Sequence, residues 1–210
     1  MRILNIGIVI LTLAVLYMTF FVVPPIKGLG YLSRIIFFHI PMAWVSVIAF
    51  VMSAWWSVKY IKKRELRFDR LAARSAAVGF FFVILATVSG AIFSKLTWGA
   101  YWNWDPRQTT IFALILLYGA YLTLRAAIES EESRAKISAV YACFSCIAVP
   151  FLMFIIPRLY FSLHPSPIIN GKGSIDMEFT ALVTLILAVT DATLIYMRLL
   201  YSQRKNCHNC

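Results

Sequence analysis

Six stretches of this chain are almost free of Asp, Glu, Lys and Arg: residues 3–26, 35–58, 75–94, 108–124, 137–157 and 179–197. Each is uniformly apolar, without the in–out alternation of a barrel strand. Each also comes close to the roughly 20 residues that an α-helix needs to cross the hydrocarbon of a bilayer. The pattern predicts an all-α polytopic membrane protein, a bundle of six transmembrane helices that forms a single integral membrane domain over residues 1–210. The first run begins after Arg2, as a signal peptide would. It is too long for one, and its Val22-Val23-Pro24-Pro25 exit offers no small-residue cleavage site, so it is expected to persist as the first helix.

Composition supports the bilayer. The chain is 61% hydrophobic and 14% charged, with a mean hydropathy of +0.78, whereas a soluble domain averages roughly 25% charged residues. The net charge of +11 does not point to nucleic acid, because no basic domain stands outside the spans. Its distribution sets orientation instead. Lys59, Lys62, Lys63, Arg64, Arg67, Arg70 and Arg74 lie between spans two and three. Arg125, Arg134 and Lys136 lie between spans four and five, with Arg2 at the start and Arg198, Arg204 and Lys205 at the end. The opposite loops hold only Lys27, Arg34, Lys95, Arg107, Arg158 and Lys172. The excess of Lys and Arg predicts that both termini and the basic loops are cytoplasmic, where they also meet membrane lipid. Residues 24–34, 98–109 and 158–178 then face outward.

The stretch from 98 to 109 is the densest in chemistry. It contains Trp98, Tyr101, Trp102 and Trp104, and the turn-formers Gly99, Asn103 and Pro106. If helical, it would align Trp98, Trp102 and Asp105 on one face and turn Trp104 elsewhere. Asp105-Pro106-Arg107-Gln108 reads as a helix start, with an N-cap, a proline at the first position and a glutamine at the third as in a capping box. Arg107 in a first turn opposes the helix dipole, which asks for a partner: Asp105 or a bound anion. His39, in Phe38-His39-Ile40-Pro41, and His164, in Ser162-Leu163-His164-Pro165, stand at the same outer level, while His208 is in the cytoplasmic tail. Two imidazoles from distant segments beside a platform of flat rings suit bis-histidine ligation of haem iron.

Other polar residues carry less. Asp191 lies inside the sixth span, where a carboxylate is costly and commonly functional. It either acts there or pairs with a hydroxyl of a neighbouring helix. Cys143 and Cys146 share a helix face and are expected to act as small apolar residues. Cys207-His208-Asn209-Cys210 lacks the histidine that covalent c-type haem attachment would require after the second cysteine.

Trp98-Gly-x-x-Trp102-x-Trp104-Asp105-x-Arg107-x-Thr109 resembles the tryptophan-rich "WWD" motif of the haem-handling protein family that serves cytochrome c biogenesis. Six spans, a short length and two outer histidines resemble the CcmC branch of that family. The larger CcsA and CcmF branches add a histidine pair inside the membrane, which this sequence lacks. The resemblance covers essentially the whole chain. It implies that haem b is bound at the outer face of the bacterial inner membrane, with His39 and His164 as axial ligands. Trp98, Trp102, Trp104, Asp105 and Arg107 would complete the site. It further implies delivery, rather than enzymatic catalysis, to a CcmE-like periplasmic haem chaperone. The other partners implied are a CcmD-like small membrane subunit and CcmA-like and CcmB-like subunits of an ABC transporter. The alternative is a permease subunit for haem or another solute. A permease needs a polar path, and Asp191 is the one charge inside the spans. An electron-transfer cytochrome of the b type would need histidine pairs within facing helices.

Overall fold

The computed structural model describes residues 2–26, 28–164 and 177–202. Six helices in it are long and apolar enough to cross a membrane. The first is α1 (Arg2–Tyr17), which ends in a π-helical turn, Met18–Val22. This is short of residue 26: the paired prolines at 24 and 25 cannot continue a helix, and they bias the residue before them to extended backbone. Val23 accordingly has ψ 122°. A 3-10 turn, Tyr31–Ile35, leads into α2 (Ile36–Lys63). A tight hairpin at Arg64, in the left-handed conformation, joins α2 to α3 (Leu66–Trp98). Then follow α4 (Pro106–Ala127) and α5 (Glu131–Pro150). A second π turn, Phe151–Ile155, and the one-turn α6 (Ile156–Leu159) complete the fifth span. The sixth is α7 (Phe179–Tyr201).

α2 and α3 form the central pair, and α2 also packs against α5 and α7. The reason lies in small residues. α2 buries Ser46, Ala49, Ser53 and Ser57 at helical spacing, α3 buries Ala72, Ala76, Gly79 and Ala86, and α5 buries Ala135, Ala139 and Ala142. In a bilayer, lipid tails are as apolar as leucine, so close backbone approach, rather than hydrophobic burial, drives helix association. α1 is the outlier. It is mostly exposed and packs chiefly on α7. A hydrogen bond fastens it there: the Thr12 hydroxyl donates to Asp191 Oδ2 at 2.8 Å. Of the two readings of Asp191, the helix-to-helix hydroxyl contact is therefore present. His208, Cys207 and Cys210 lie outside the described residues, as do Lys27, Pro165, Lys172, Arg204 and Lys205.

Candidate functional site

The tryptophan tract is a turn between two helices. α3 stops at Trp98 because Gly99 takes φ +82°, a left-handed conformation that costs glycine little. The Gly99 N–H closes the helix end on the Lys95 carbonyl at 3.2 Å. Asn103 then pins the loop, donating from Nδ2 to Ser94 Oγ at 2.7 Å and from its backbone N–H to Gln108 Oε1 at 2.8 Å. Trp104 has φ +54°, unusual for a bulky residue. This turns its ring outward, 70% exposed, edge-on to Trp102 at 5.9 Å. Asp105 caps α4: Oδ1 accepts from the Arg107 N–H at 2.9 Å, and Pro106 occupies the first helical position. Gln108 closes a wider ring than a capping box, reaching Asn103 rather than the cap residue's own N–H. The single helical face for Trp98, Trp102 and Asp105 does not form, because Gly99 breaks the helix.

Asp105 has further partners. Leu163 N–H donates to Oδ2 at 2.7 Å, the Ser162 hydroxyl donates to the same oxygen at 2.9 Å, and His164 Nδ1 lies 3.0 Å from Oδ1. Burial alone would raise the Asp105 carboxyl. The N–H groups of Arg107 and Leu163 and the Ser162 hydroxyl outweigh it and hold the group below its ordinary value. For His164, burial dominates and lowers the imidazole to about 4, against the opposing pull of Asp105. At neutral pH the ring is therefore uncharged. The carboxylate can only accept, so Nδ1 carries the hydrogen and Nε2 keeps its lone pair. Trp98 stands edge-on to the His164 ring at 5.1 Å and to Phe93 at 5.7 Å.

His39 reaches the same state by another route. Its Nδ1 lies 2.9 Å from the Ala86 carbonyl and 3.1 Å from Ser89 Oγ. The carbonyl accepts, so in the neutral ring Nδ1 carries the hydrogen and Nε2 the lone pair. Gly90 makes the room: a Cβ there would stand 3.0 Å from His39 Cε1. Both imidazoles line one cavity of about 440 Å³. Its other polar lining side chains include Arg107, Gln108 and Arg158, and Trp102 forms part of its wall. Apolar side chains such as Ile40, Phe93 and Met153 make up most of the remainder.

Over residues 1–209 the sequence matches the family described as Heme exporter protein C. The chain belongs to that family. It is 26% identical to the heme exporter protein C of Bradyrhizobium diazoefficiens over 84% of this chain and 67% of that one. It is 28% identical to a putative cytochrome c biosynthesis ccmC-like mitochondrial protein of Marchantia polymorpha, over 85% of this chain and 75% of the relative. A cytochrome c biogenesis protein CcsA from Pelargonium hortorum is 30% identical over 52% of this chain and 34% of its own length.

Within this heme exporter protein C family member, the residues singled out from sequence divide into three positions. His39, His164, Trp102 and Arg107 line the cavity. Trp98 and Asp105 stand behind His164 and touch it rather than the cavity. Trp104 lies outside, against Trp102. Asp191 is remote, on α7 beside α1. Sequence reasoning gave Gln108 only a capping role and passed over Arg158, Ser162 and Gly90 as site residues. Arg158 carried a signal, a cation directly after Pro157 at the end of a long apolar span. Ser162 and Gly90 carried none, since their roles come from contacts with distant segments.

Proposed function

We propose that this protein holds haem b at the outer end of its helix bundle and delivers it to a periplasmic haem chaperone during cytochrome c biogenesis. His39 and His164 are its axial ligands. Both termini are cytoplasmic, the site faces the periplasm, and the membrane is the bacterial inner membrane. The partners are a CcmE-like chaperone, a CcmD-like small subunit and CcmA-like and CcmB-like transporter subunits. The chain acts as a carrier rather than an enzyme.

The observation that carries this reading is the pair of imidazoles. They come from segments 125 positions apart in the numbering, enter one largely apolar cavity, and each has Nδ1 tied to the protein so that Nε2 is the nitrogen left to ligate. Haem is the cargo, and the chain's own work is to orient it. His39 sits on a helix and is held by two partners on α3, so it serves as the fixed ligand. His164 sits on a loop, held by Asp105 and Ser162 and with its ring edge-on to Trp98. It serves as the ligand that can withdraw when cargo leaves. Trp102 and the apolar walls keep the porphyrin in place when one iron bond opens.

The test replaces each ligand. His39→Gly and His164→Gly should each abolish the bis-imidazole absorption bands of the haem-loaded protein, and added imidazole should restore them. Wild-type spectra from both variants, with loss of function from Asp191→Ala, would remove the outer site and favour the permease.

A further inference from the structure

We propose that Asp191 is a positioning residue for the cavity at the tryptophan end. It fixes the register of α1 on α7, and α1 in turn holds the 3-10 turn and the start of α2, which form one wall of that cavity. The proposal concerns the geometry of the chain itself and stands whichever ligand the cavity takes.

α1 meets α7 through polar residues at a fixed spacing. Asn5, Thr12 and Thr19 stand seven apart on one helix. Arg198, Asp191 and Thr184 stand seven apart, in the opposite direction, on the other. Seven residues make close to two helical turns, so each set forms one stripe. Arg198 Nε donates to Asn5 Oδ1 at 2.7 Å, and the Thr12 hydroxyl to Asp191 Oδ2 at 2.8 Å. The same register brings Thr19 level with Thr184, and both are fully buried. The outward face of α1 selects no register: Ile6, Val9, Ile10 and Leu13 are exposed there, and lipid tails receive aliphatic side chains equally well wherever the helix slides. Interhelical hydrogen bonds do tell one register from another. Asp191 is the central rung. It is buried, and its Oδ1 has no protein partner among the described residues, so a slip would strip the carboxyl of its one bond to α1. α1 reaches the cavity through its last turn. Pro24 and Pro25 have no N–H, so the Phe20 carbonyl has no helical donor ahead of it. Arg34 Nη2 supplies one at 2.7 Å, and its guanidinium lies over the Phe20 ring at 5.5 Å. Val23 packs with Phe37, Ala181 and Leu185, and Ile36 and Ile40 rest on that cluster. Ile35, Ile36, His39 and Ile40 line the cavity. A shift of α1 along α7 therefore pulls on the wall that carries His39.

The test measures two spin-label distances in the full chain, with its four cysteines replaced by alanine. Labels at the exposed Phe21 and Phe179 report the register of α1 on α7, and labels at the exposed Leu32 and Tyr101 report the cavity wall. The unaltered rung should give one narrow distance for each pair. Asp191→Asn, whose amide oxygen still accepts from Thr12, should keep both. Asp191→Thr and Thr12→Asp should each shift or broaden both distances. The double variant Thr12→Asp with Asp191→Thr rebuilds the rung in reverse and should restore both, which a general loss of stability would not do. Where haem gives a bis-imidazole band, its affinity should fall about twofold to thirtyfold in the two single variants and return in the double one, the usual range for coupling through packed elements. An Asp191→Thr protein that keeps the Phe21–Phe179 distance, or a reversed rung that restores nothing, overturns the register role. A Phe21–Phe179 distance that moves while Leu32–Tyr101 stays fixed overturns the link to the cavity. Absence of any haem band would count against the haem reading alone, because the two distances decide the positioning role without it.

Discussion

Among the described residues, each end of the bundle buries one aspartate, and the two are used in opposite ways. At the basic end, Asp69 of α3 meets Arg125 of α4 in a two-pronged ion pair, at 2.6 and 2.9 Å, with the side chains only 4% and 14% exposed. The Arg125 guanidinium also lies over the Tyr121 ring at 6.0 Å. That pair closes on itself, ties two helices together and has nothing left to offer a ligand. At the tryptophan end, Asp105 is satisfied by two backbone N–H groups, a hydroxyl and an imidazole. Its neighbour Arg107 is thereby left free to face a cavity. A buried acid that takes a guanidinium builds a joint; one that takes neutral donors orients a histidine and leaves the neighbouring cation facing the cavity.

The largest effect is expected at the joint. Removing one partner of a buried ion pair strands the other, at about 3–5 kcal/mol. Arg125→Ala should lose stability on that scale in denaturant titrations in detergent, while the folded fraction keeps a wild-type haem spectrum. A change in the spectrum would show that the two ends are coupled and end the comparison.

Acid should act on the other end. His164 is held neutral at about 4 in the folded protein, below its ordinary value near 6.5. As pH falls from about 6.5 to about 4 the unfolded chain takes up a proton that the folded chain does not. Stability therefore declines through that window, by up to about 3 kcal/mol. Asp105, also lowered, adds a loss in the same direction at still lower pH, below its ordinary value. Apo His164→Gln should show a flatter profile between pH 6.5 and 4 by thermal unfolding. An unchanged slope would mean that His164 is hydrated rather than buried.

The smallest change separates the two jobs of Asp105. Asparagine caps helices as well as aspartate does, yet its Nδ2 would face the buried Leu163 N–H that Oδ2 now accepts from, so Asp105→Asn should keep the cap and cost about 1–3 kcal/mol from that lost bond. It replaces the carboxylate that faces His164, and loss of such a supporting partner typically weakens ligation 10–100-fold. Asp105→Ala should show that loss plus about 1 kcal/mol from the missing cap. Equal haem retention in Asp105→Asn and wild type would reduce Asp105 to a helix cap.

What could be read from sequence follows from how local its causes are. The six spans were legible because a bilayer forces every backbone group into a helix, so length and hydropathy alone are enough. The Asp105 cap was legible because its partner is two residues away. The tract's break at Gly99 was visible as a turn-former, yet the rings around it looked alike. Only the fold separates Trp102 in the cavity wall, Trp98 behind His164 and Trp104 outside it.

The sequence by itself determined the helices, the WWD-like motif and the two outer histidines as candidates, because periodicity, capping and composition act over a few residues. Tertiary structure decided which groups meet: Asp105 with His164, His39 with Ala86 and Gly90, Asp69 with Arg125, and Thr12 with Asp191. Those pairings join segments that small residues bring close together in lipid. A hydrogen bond or ion pair is decided over a few ångströms, which spacing along the chain does not encode.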